Sequence, residues 1–367
     1  MSPARPCWRC GQWLLAAALL LPLLGLERGQ RASWPLPSAA AFAAPRWRRP
    51  RGARRACRGA TARAAVLSAA EEVRRQLVEA GICGDVEEKR SSSTNFILET
   101  DRGRCFVKCG TGGSGAPKEI LEYEAEALRR LGAAAGPALK VPEPWLVGEL
   151  GPGRAFIVQE HLDLGGRTSP DALGAGLAAL HAAPLPADWQ QFGFPLEGCC
   201  GACPQKNNAG GRDLNWVEFW RDFRLGDQLR MLKRNSPQDR EIQEVGAELM
   251  EKLPTFFEPL GPPETIKPSL LHGDLWSGNI NSLRDGTPVI IDPASYYGHY
   301  EADHGINIMF GGGGAFYNRG YESRFPRAPG YEERAALYEL HHHMNHYNIF
   351  GGSYRGGSLG LMRRLLR

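Results

Sequence analysis

One short stretch of the sequence carries the residue types that phosphoryl transfer needs. In the loop His272-Gly273-Asp274-Leu275-Trp276-Ser277-Gly278-Asn279 an acid precedes an amide by five residues, and a second acid, Asp292, follows the apolar run 289–291. One carboxylate can orient or deprotonate an attacking hydroxyl, while an amide oxygen and another carboxylate can hold Mg²⁺ against nucleotide phosphates. The spacing therefore predicts a site for a metal-bound nucleotide.

Two residues in the front half of the chain strengthen this interpretation, because an acid and an amide at this spacing also fit a loop closed by Asx turns. Lys108 ends a predicted strand, from which its amine could reach the α- and β-phosphates. In a helix predicted from Lys118 to Leu131, Glu124 shares the apolar stripe, where a carboxylate is unfavourable unless a cation meets it. Lys108 is the natural partner. The alternative is that Glu124 lies at the edge of the stripe and reaches water.

A run of hydroxyl residues precedes that strand. Ser91-Ser92-Ser93-Thr94-Asn95 occupies the turn that would lie over the phosphates, with Ser93 as the candidate phosphate-binding residue. Small residues there can offer backbone N–H groups to anions. The turn lacks the glycines of a G-x-G-x-x-G loop, so a solvated hairpin turn is equally consistent with it.

The charge distribution argues against a nucleic-acid partner. The chain of 367 residues has a formal net charge of +4, but residues 1–65 hold twelve of its 44 basic side chains and one of its 40 acidic ones. Residues 66–367 therefore have a net charge of −7 and no basic footprint. A hydrophobic share of 43% excludes disorder of the whole chain.

The first 65 residues are typical of a targeting presequence. Arg5 and Arg9 precede an apolar run from Trp13 to Leu26, which is too short to span a bilayer and suits a signal-peptide core. Small residues around Phe42 and an acid-free, Arg-rich stretch follow. This resembles the two-part presequence of algae whose plastids lie behind secretory membranes, so we expect a plastid protein whose mature chain is not in a membrane. A plain secretory signal or a type II membrane anchor is the alternative.

Periodicity divides the remainder into a strand-rich front and a helical back. Residue ranges can be given for four of the expected strands: 91–100, 104–109, 141–147 and 155–159. From Asp171 onward the pattern is mostly helical, apart from a loop-rich insertion near 193–212 and a hairpin near 279–292. We expect an α+β chain of two lobes, with a small five-stranded N-lobe over 66–160 and a larger helical C-lobe over 161–367.

Two patterns that look like metal sites are interpreted as structural. Cys200 and Cys203 have the spacing of a zinc-ligand pair, but no second pair follows at zinc-ribbon distance. His342 and His346 stand one helical turn apart without the glutamate of a H-E-x-x-H motif. The cysteines of residues 66–367 need not form disulfides, because a core of this size buries enough apolar surface.

Together these motifs resemble the fructosamine kinase (ketosamine 3-kinase) family over about residues 68–367. Trp276-Ser277 is the most discriminating part, since aminoglycoside and choline kinases share the His-Gly-Asp and the Asn of the loop but not usually that dipeptide. The matching segments include Phe106-Val107-Lys108, Leu121-Glu122-Tyr123-Glu124-Ala125, Gln159-Glu160-His161-Leu162, Phe192-Gly193-Phe194, Pro204-Gln205, His272 to Asn279, Asp292-Pro293-Ala294-Ser295, Tyr297-Gly298-His299, Met309-Phe310-Gly311-Gly312 and Asn345-His346-Tyr347-Asn348.

The resemblance implies a bilobal, protein-kinase-like fold and a specific activity. Members of the family use ATP and Mg²⁺ to phosphorylate the O3 hydroxyl of ketosamines, the sugar adducts on protein lysines, and the product then decomposes and frees the amine. Glycated proteins or small ketosamines would be the partners. In the N-lobe, the resemblance implies that Lys108 anchors the nucleotide, that Glu124 orients Lys108 and that Glu160 lies at the adenine hinge.

In the C-lobe, the resemblance implies that Asp274 is the catalytic acid or base, that Asn279 and Asp292 bind the metal and that Trp276 lines the sugar pocket. Many relatives carry Gly, and some a redox-active Cys, in the phosphate-covering loop, where this chain has Arg90 and Ser91. Redox control and disulfide-linked dimers through that loop are therefore not predicted, and the oligomeric state is left undecided.

Two other functions stay open at this point. One is a kinase for a free small molecule such as an amino alcohol or an aminoglycoside. The other is a catalytically inactive kinase fold that serves as a binding module. The intact set of acidic, amide and lysine residues counts against the second, because loss of at least one would be expected there.

Overall fold

The computed structural model describes residues 69–84, 86–91, 95–110, 118–310 and 319–367, with the backbone alone for 86–91. The predicted presequence, residues 1–65, and the candidate phosphate-binding Ser93 lie outside the described residues. Within the described ranges, no helix is both long enough and apolar enough to cross a membrane.

The front of the chain forms an antiparallel sheet of five strands in the order β1-β2-β3-β5-β4. The strands are β1 (Val86–Ser91), β2 (Asn95–Thr100), β3 (Gly103–Cys109), β4 (Pro144–Gly151) and β5 (Arg154–Glu160). The predicted strand 91–100 is wrong at its start, because β1 already ends at Ser91 and β2 begins at Asn95. Sequence patterning missed β1 because this charged edge strand does not alternate apolar and polar residues.

The sheet separates two hydrophobic cores. Helix α1 (69–79) covers one face and buries Leu98, Val107 and Val158 beneath it. Helix α2 (Lys118–Ala135) extends four residues beyond its predicted end, and it joins Ile157 of β5 and the helices of the back half in a single larger core. The core is therefore continuous across the predicted lobe boundary at Glu160.

The back of the chain is mainly helical, with short strand pairs. Its elements are α3 (Pro170–His181), β6 (Gly198–Cys200), β7 (Cys203–Gln205), α4 (Trp216–Phe219), a π-helical turn (Trp220–Leu225), α5 (Gly226–Asn235), α6 (Arg240–Lys252), β8 (Ser269–Leu271), β9 (Ile280–Ser282), β10 (Pro288–Ile290), β11 (Tyr296–Gly298), α7 (His304–Met309), α8 (Arg319–Glu322), α9 (Tyr331–Phe350) and α10 (Arg355–Leu366). The insertion predicted as loop-rich contains the hairpin β6–β7.

Two strand pairs hold the ends of the loop that carries Asp274. β8 ends immediately before His272 and pairs with β11, so that Leu271 lies opposite Tyr296. β9 follows Asn279 and pairs with β10, which confirms the predicted hairpin and returns the chain to Asp292. Because both pairs are antiparallel, the loop and the segment after Asp292 are brought side by side.

Candidate active site

The loop that carries Asp274 turns at a glycine that no other residue can replace without strain. Gly273 has a φ of +82°, in the left-handed region that favours glycine. A Cβ at this position would collide with the carbonyl oxygen of Ala294. The N–H of Ala294 donates to the carbonyl of His272 at 2.9 Å, so the loop lies directly against the segment that follows Asp292.

We expect Gly273→Ala to lose stability and activity together. The left-handed conformation costs about 1–2 kcal/mol for a residue with a Cβ, and the collision with Ala294 adds to that. Gly153→Ala is a matched control, since Gly153 has a φ of +68° but open space around its missing Cβ. In thermal melts and transfer assays, Gly273→Ala should be the less stable variant and the one that loses turnover. Equal effects of the two changes would contradict this role of Gly273.

A buried carboxylate that the sequence analysis did not identify binds the backbone of the loop that carries Asp274. Asp303 is 2% exposed and accepts the backbone N–H groups of His272 at 2.7 Å and Gly273 at 2.6 Å. Its Oδ2 also lies 3.1 Å from Nε2 of His181, whose Nδ1 contacts the hydroxyl of Tyr321. Burial opposes the charge, but the hydrogen bonds from His181 and Gly273 lower the pKa of Asp303 overall, so the carboxylate stays ionised. No local sequence signal marks it, because its partners come from distant segments.

Asp303→Asn should reduce turnover without weakening nucleotide binding. An amide offers one oxygen, so one of the two loop N–H groups loses its acceptor at a cost of about 1–3 kcal/mol. We expect kcat to fall roughly tenfold to a hundredfold through misplacement of Asp274. Asp239→Asn is the matched control, because Asp239 is a buried carboxylate that binds Tyr347 and Arg355 instead. If kcat fell equally in both variants, general destabilisation would explain it.

His272 serves as a structural group in this loop. Its ring is fully buried, Nε2 donates to the carbonyl of Ile291 at 2.9 Å, and Nδ1 accepts the N–H of Asp274 at 3.3 Å. Burial lowers the pKa of His272, which keeps the imidazole neutral. Both nitrogens are thus engaged with the backbone, and the ring is not available as a catalytic base.

Asn279 ties the two acidic residues together. Its Nδ2 lies 2.9 Å from the carbonyl and 3.2 Å from Oδ2 of Asp274, and 3.3 Å from the carbonyl of Asp292. Because Nδ2 faces these acceptors, Oδ1 is the atom that remains to bind a metal. Burial, and after it the nearby charge of Asp292, raises the pKa of Asp274 to about 7. This concentration of negative charge and oxygen donors fits Mg²⁺.

Lys108 connects the sheet to this acidic cluster. Its Nζ lies 2.9 Å from Oε2 of Glu124 and 3.1 Å from Oδ1 of Asp292. Although burial lowers the pKa of Lys108, the charges of Asp292 and Glu124 raise it overall, so the amine stays protonated. Among the described residues, Asp292 is the only one other than glycine with a positive φ, at 52°. Such strained conformations concentrate at functional sites.

Strand and helix registers explain why Lys108 and Glu124 meet. The side chain of Val107 is buried beneath α1, so the next residue on β3, Lys108, points to the opposite face, where α2 lies. On α2, the hydroxyl of Tyr123 donates to the carbonyl of Ser295 at 2.8 Å. This bond anchors α2 to the segment after Asp292 and so fixes Glu124 beside the cleft.

The side chains of Glu160 and Trp276 are not part of this cluster. Oε2 of Glu160 forms an ion pair with Lys140 at 2.7 Å, at the end of β5. A cleft of about 590 Å³ opens beside it, lined by Ile97, Glu99, Arg104 and residues 161–164. The N–H of Trp276 donates to the carbonyl of Asp274 at 3.0 Å, and its indole covers Gly278, where a Cβ would collide with the ring.

The two patterns interpreted as structural have protein partners. Cys200 lies opposite Cys203 in the β6–β7 hairpin, and the side-chain amide of Asn345 donates to the carbonyl of Cys200 at 3.2 Å. His346 Nδ1 donates to the carbonyl of His342 at 2.9 Å. In the part of the chain that the structure describes, no three His, Cys, Asp or Glu side chains are grouped as a metal site.

Comparison with known proteins identifies the family. The model of the family described as fructosamine kinase matches residues 73–367. The chain belongs to the fructosamine kinase family. A protein-ribulosamine 3-kinase, chloroplastic, from Oryza sativa subsp. indica is 40% identical over 270 residues, which are 73% of this chain and 74% of that protein. The ketosamine-3-kinase of Mus musculus is 38% identical over 289 residues, 73% of this chain and 89% of that one.

The fold agrees with that of solved family members. The crystal structure of a putative fructosamine-3-kinase from Thermobifida fusca YX-ER1 is similar with a TM-score of 0.60 and 28% identity, and the match covers 78% of this chain and 94% of that one. The family assignment and the bilobal, protein-kinase-like α+β fold predicted from the sequence are therefore confirmed.

Proposed function

We propose that this chain is a ketosamine 3-kinase. It transfers the γ-phosphoryl group of ATP, with Mg²⁺, to the sugar O3 of ribulosamine or fructosamine adducts on protein lysines, after which the product decomposes and frees the amine. The observation that carries the proposal is that Lys108 lies between Glu124 and Asp292, at 2.9 and 3.1 Å, while Asn279 links Asp292 to Asp274. The named activities of the rice and mouse relatives support the choice of acceptor.

Each residue of the cluster has a role in this reaction. Lys108 binds the α- and β-phosphates, and Glu124 holds its amine in place. Asn279 and Asp292 would hold Mg²⁺, which would neutralise charge on the transferring phosphate. Asp274 orients the sugar hydroxyl and accepts its proton as the new O–P bond forms and ADP leaves. Because the transition state resembles metaphosphate, positioning matters more than the strength of the base.

The remaining contacts of the two substrates are assigned around this centre. The adenine lies beside Glu160, in the cleft at the end of β5. Ser93, which lies between β1 and β2 in the sequence, is assigned to phosphate binding. Trp276 lines the sugar pocket, since it is held next to Asp274 by its own backbone hydrogen bond.

The proposal is tested by incubating the full chain with ATP, Mg²⁺ and peptides that carry a ribosylated or a glucosylated lysine. We expect phosphorylated peptide, detected by mass spectrometry, with the phosphate located on O3 by NMR. Transfer to free amino alcohols or aminoglycosides alone would favour the small-molecule kinase. Nucleotide binding without transfer to any of these acceptors would favour the inactive binding module.

We also propose that the protein acts in plastids. The Arg-rich, acid-free part of residues 1–65 supports this location, and the rice and Arabidopsis thaliana relatives are named chloroplastic. The full chain with a fluorescent protein at its C-terminus should enter plastids in an alga whose plastids lie behind secretory membranes. Secretion of the fusion would favour the plain secretory signal.

A further inference from the structure

A row of aromatic side chains leads away from Trp276 along the C-lobe surface. This aromatic track consists of Phe310 after α7, His346 and Phe350 at the end of α9, and Tyr354 before α10. Phe310 lies 5.6 Å from Trp276 and 5.5 Å from His346, between ring centroids. His346 in turn lies 5.5 Å from Phe350 and 4.9 Å from Tyr354. The track is therefore continuous with Trp276, two residues after Asp274.

Two members of this track are highly exposed within the described part of the chain. Phe310 is 46% and Phe350 43% exposed, and they are two of four large hydrophobic residues exposed to this degree in the described part of the chain. Single exposed apolar side chains are common, but aromatic rings in mutual contact mark binding surfaces. The other two, Val78 and Leu196, have no ring partners because they are aliphatic.

The polar groups at the track suit a cation attached to an apolar chain. Aromatic faces attract ammonium groups, and the backbone of Trp276, at the inner end of the track, is hydrogen-bonded to that of Asp274. His346 donates Nδ1–H to the carbonyl of His342, and burial lowers the pKa of His346, so its ring stays neutral and does not repel a cation. At the outer end, the guanidinium of Arg355 is neutralised by Asp239 and Glu241.

We propose that the aromatic track binds the lysine arm of the acceptor, with the secondary ammonium of the ketosamine against Trp276 and the lysine methylenes along Phe310 and His346. This inference rests on the proposed function. In a ketosamine, O3 is separated from the amine by carbons C3, C2 and C1, so an O3 held at Asp274 places the amine within reach of the neighbouring indole. The arm must then leave the cleft along its wall. Phe310 thereby selects sugars carried on an alkylamine over the sugar itself.

The test compares two acceptors that share the same sugar and amine. One is the ribose ketosamine of methylamine, and the other is the ribose ketosamine of a lysine within a capped peptide. For Phe310→Ala we expect KM to rise about tenfold for the lysine peptide and less than about twofold for the methylamine adduct, because only the lysine peptide has methylenes to bury against Phe310. The value of kcat should stay within about twofold for both, since Phe310 does not touch the reacting atoms.

Two further variants keep the test decisive. Val78→Ala removes an equally exposed side chain from α1 and should change neither KM. Phe310→Leu keeps an apolar side chain of similar bulk but has no aromatic face, so it is less prone to misfold than Phe310→Ala. It should raise KM for the lysine peptide by a smaller factor than Phe310→Ala does. Equal KM changes for both acceptors, or no change in either Phe310 variant, would overturn the inference. If the unaltered chain phosphorylates neither acceptor, it is the proposed function that fails.

Discussion

Asp274→Asn should abolish turnover while leaving nucleotide binding and folding intact. The variant keeps the shape of the side chain but cannot accept the proton of the sugar hydroxyl, so we expect kcat to fall about a hundredfold to ten-thousandfold. ATP affinity, measured by titration, should change less than about twofold, because the proposed role of Asp274 is to contact the acceptor and not the nucleotide. The loop keeps its hydrogen bonds to His272 and Asp303 through backbone atoms that the change does not alter.

The melting temperature of Asp274→Asn distinguishes a loss of catalysis from a loss of folding. Burial and the charge of Asp292 raise the pKa of Asp274 to about 7, so the ionised carboxylate is unfavourable in the metal-free protein. Asp274→Asn removes that charge and should melt at the same or a higher temperature than the unaltered chain in EDTA at pH 8. Asp285→Asn, on the exposed hairpin turn, is the control that should leave kcat unchanged. A lowered melting temperature together with lost ATP binding would contradict the catalytic role.

Lys108→Met should weaken nucleotide binding, whereas Asp274→Asn should abolish turnover and leave nucleotide binding intact. Hydrogen bonds to charged groups are worth about 1.5–3 kcal/mol, which corresponds to roughly a tenfold to hundredfold rise in the Kd of ATP. The variant also leaves the buried carboxylate of Glu124 without its cation, so a lower melting temperature is expected as well.

A matched variant separates these effects. Lys252→Met removes a half-buried amine that donates to the carbonyl of Leu365, far along the chain from the acidic cluster, and it should leave the Kd of ATP unchanged. Glu124→Gln keeps a hydrogen-bond acceptor for Lys108 and should weaken ATP binding less than Lys108→Met does. Unchanged ATP affinity in Lys108→Met would show that the nucleotide binds elsewhere.

The contact between Lys108 and Glu124 could be predicted because Glu124 broke a regular pattern. A carboxylate on the apolar face of α2 requires a cation, and Lys108, at the end of a strand, is its natural partner. The hairpin β9–β10 could also be predicted, since Asp285-Gly286 between apolar runs is a strong turn signal. The first prediction used the periodicity of a helix, and the second used a local turn motif.

The features that escaped prediction depend on contacts between distant segments. Asp303 holds the loop through backbone N–H groups of His272 and Gly273, and nothing in its own neighbourhood distinguishes it from a surface acid. The contact of Trp276 with Phe310 joins a loop and a helix end that are 34 positions apart in the sequence. The continuity of the core across Glu160 likewise arises from packing that no periodicity encodes. Local sequence therefore defined which groups are present, and tertiary packing defines which of them meet.

The proposed reaction requires a nucleotide and its metal to occupy the space between Lys108, Asn279 and Asp292. A crystal structure of the full chain with Mg²⁺ and a non-hydrolysable ATP analogue tests it most directly. We predict that Nζ of Lys108 contacts α- or β-phosphate oxygens and that a metal ion is bound by Oδ1 of Asn279 and the carboxylate of Asp292. A nucleotide bound with its phosphates away from these three side chains would contradict the assignment.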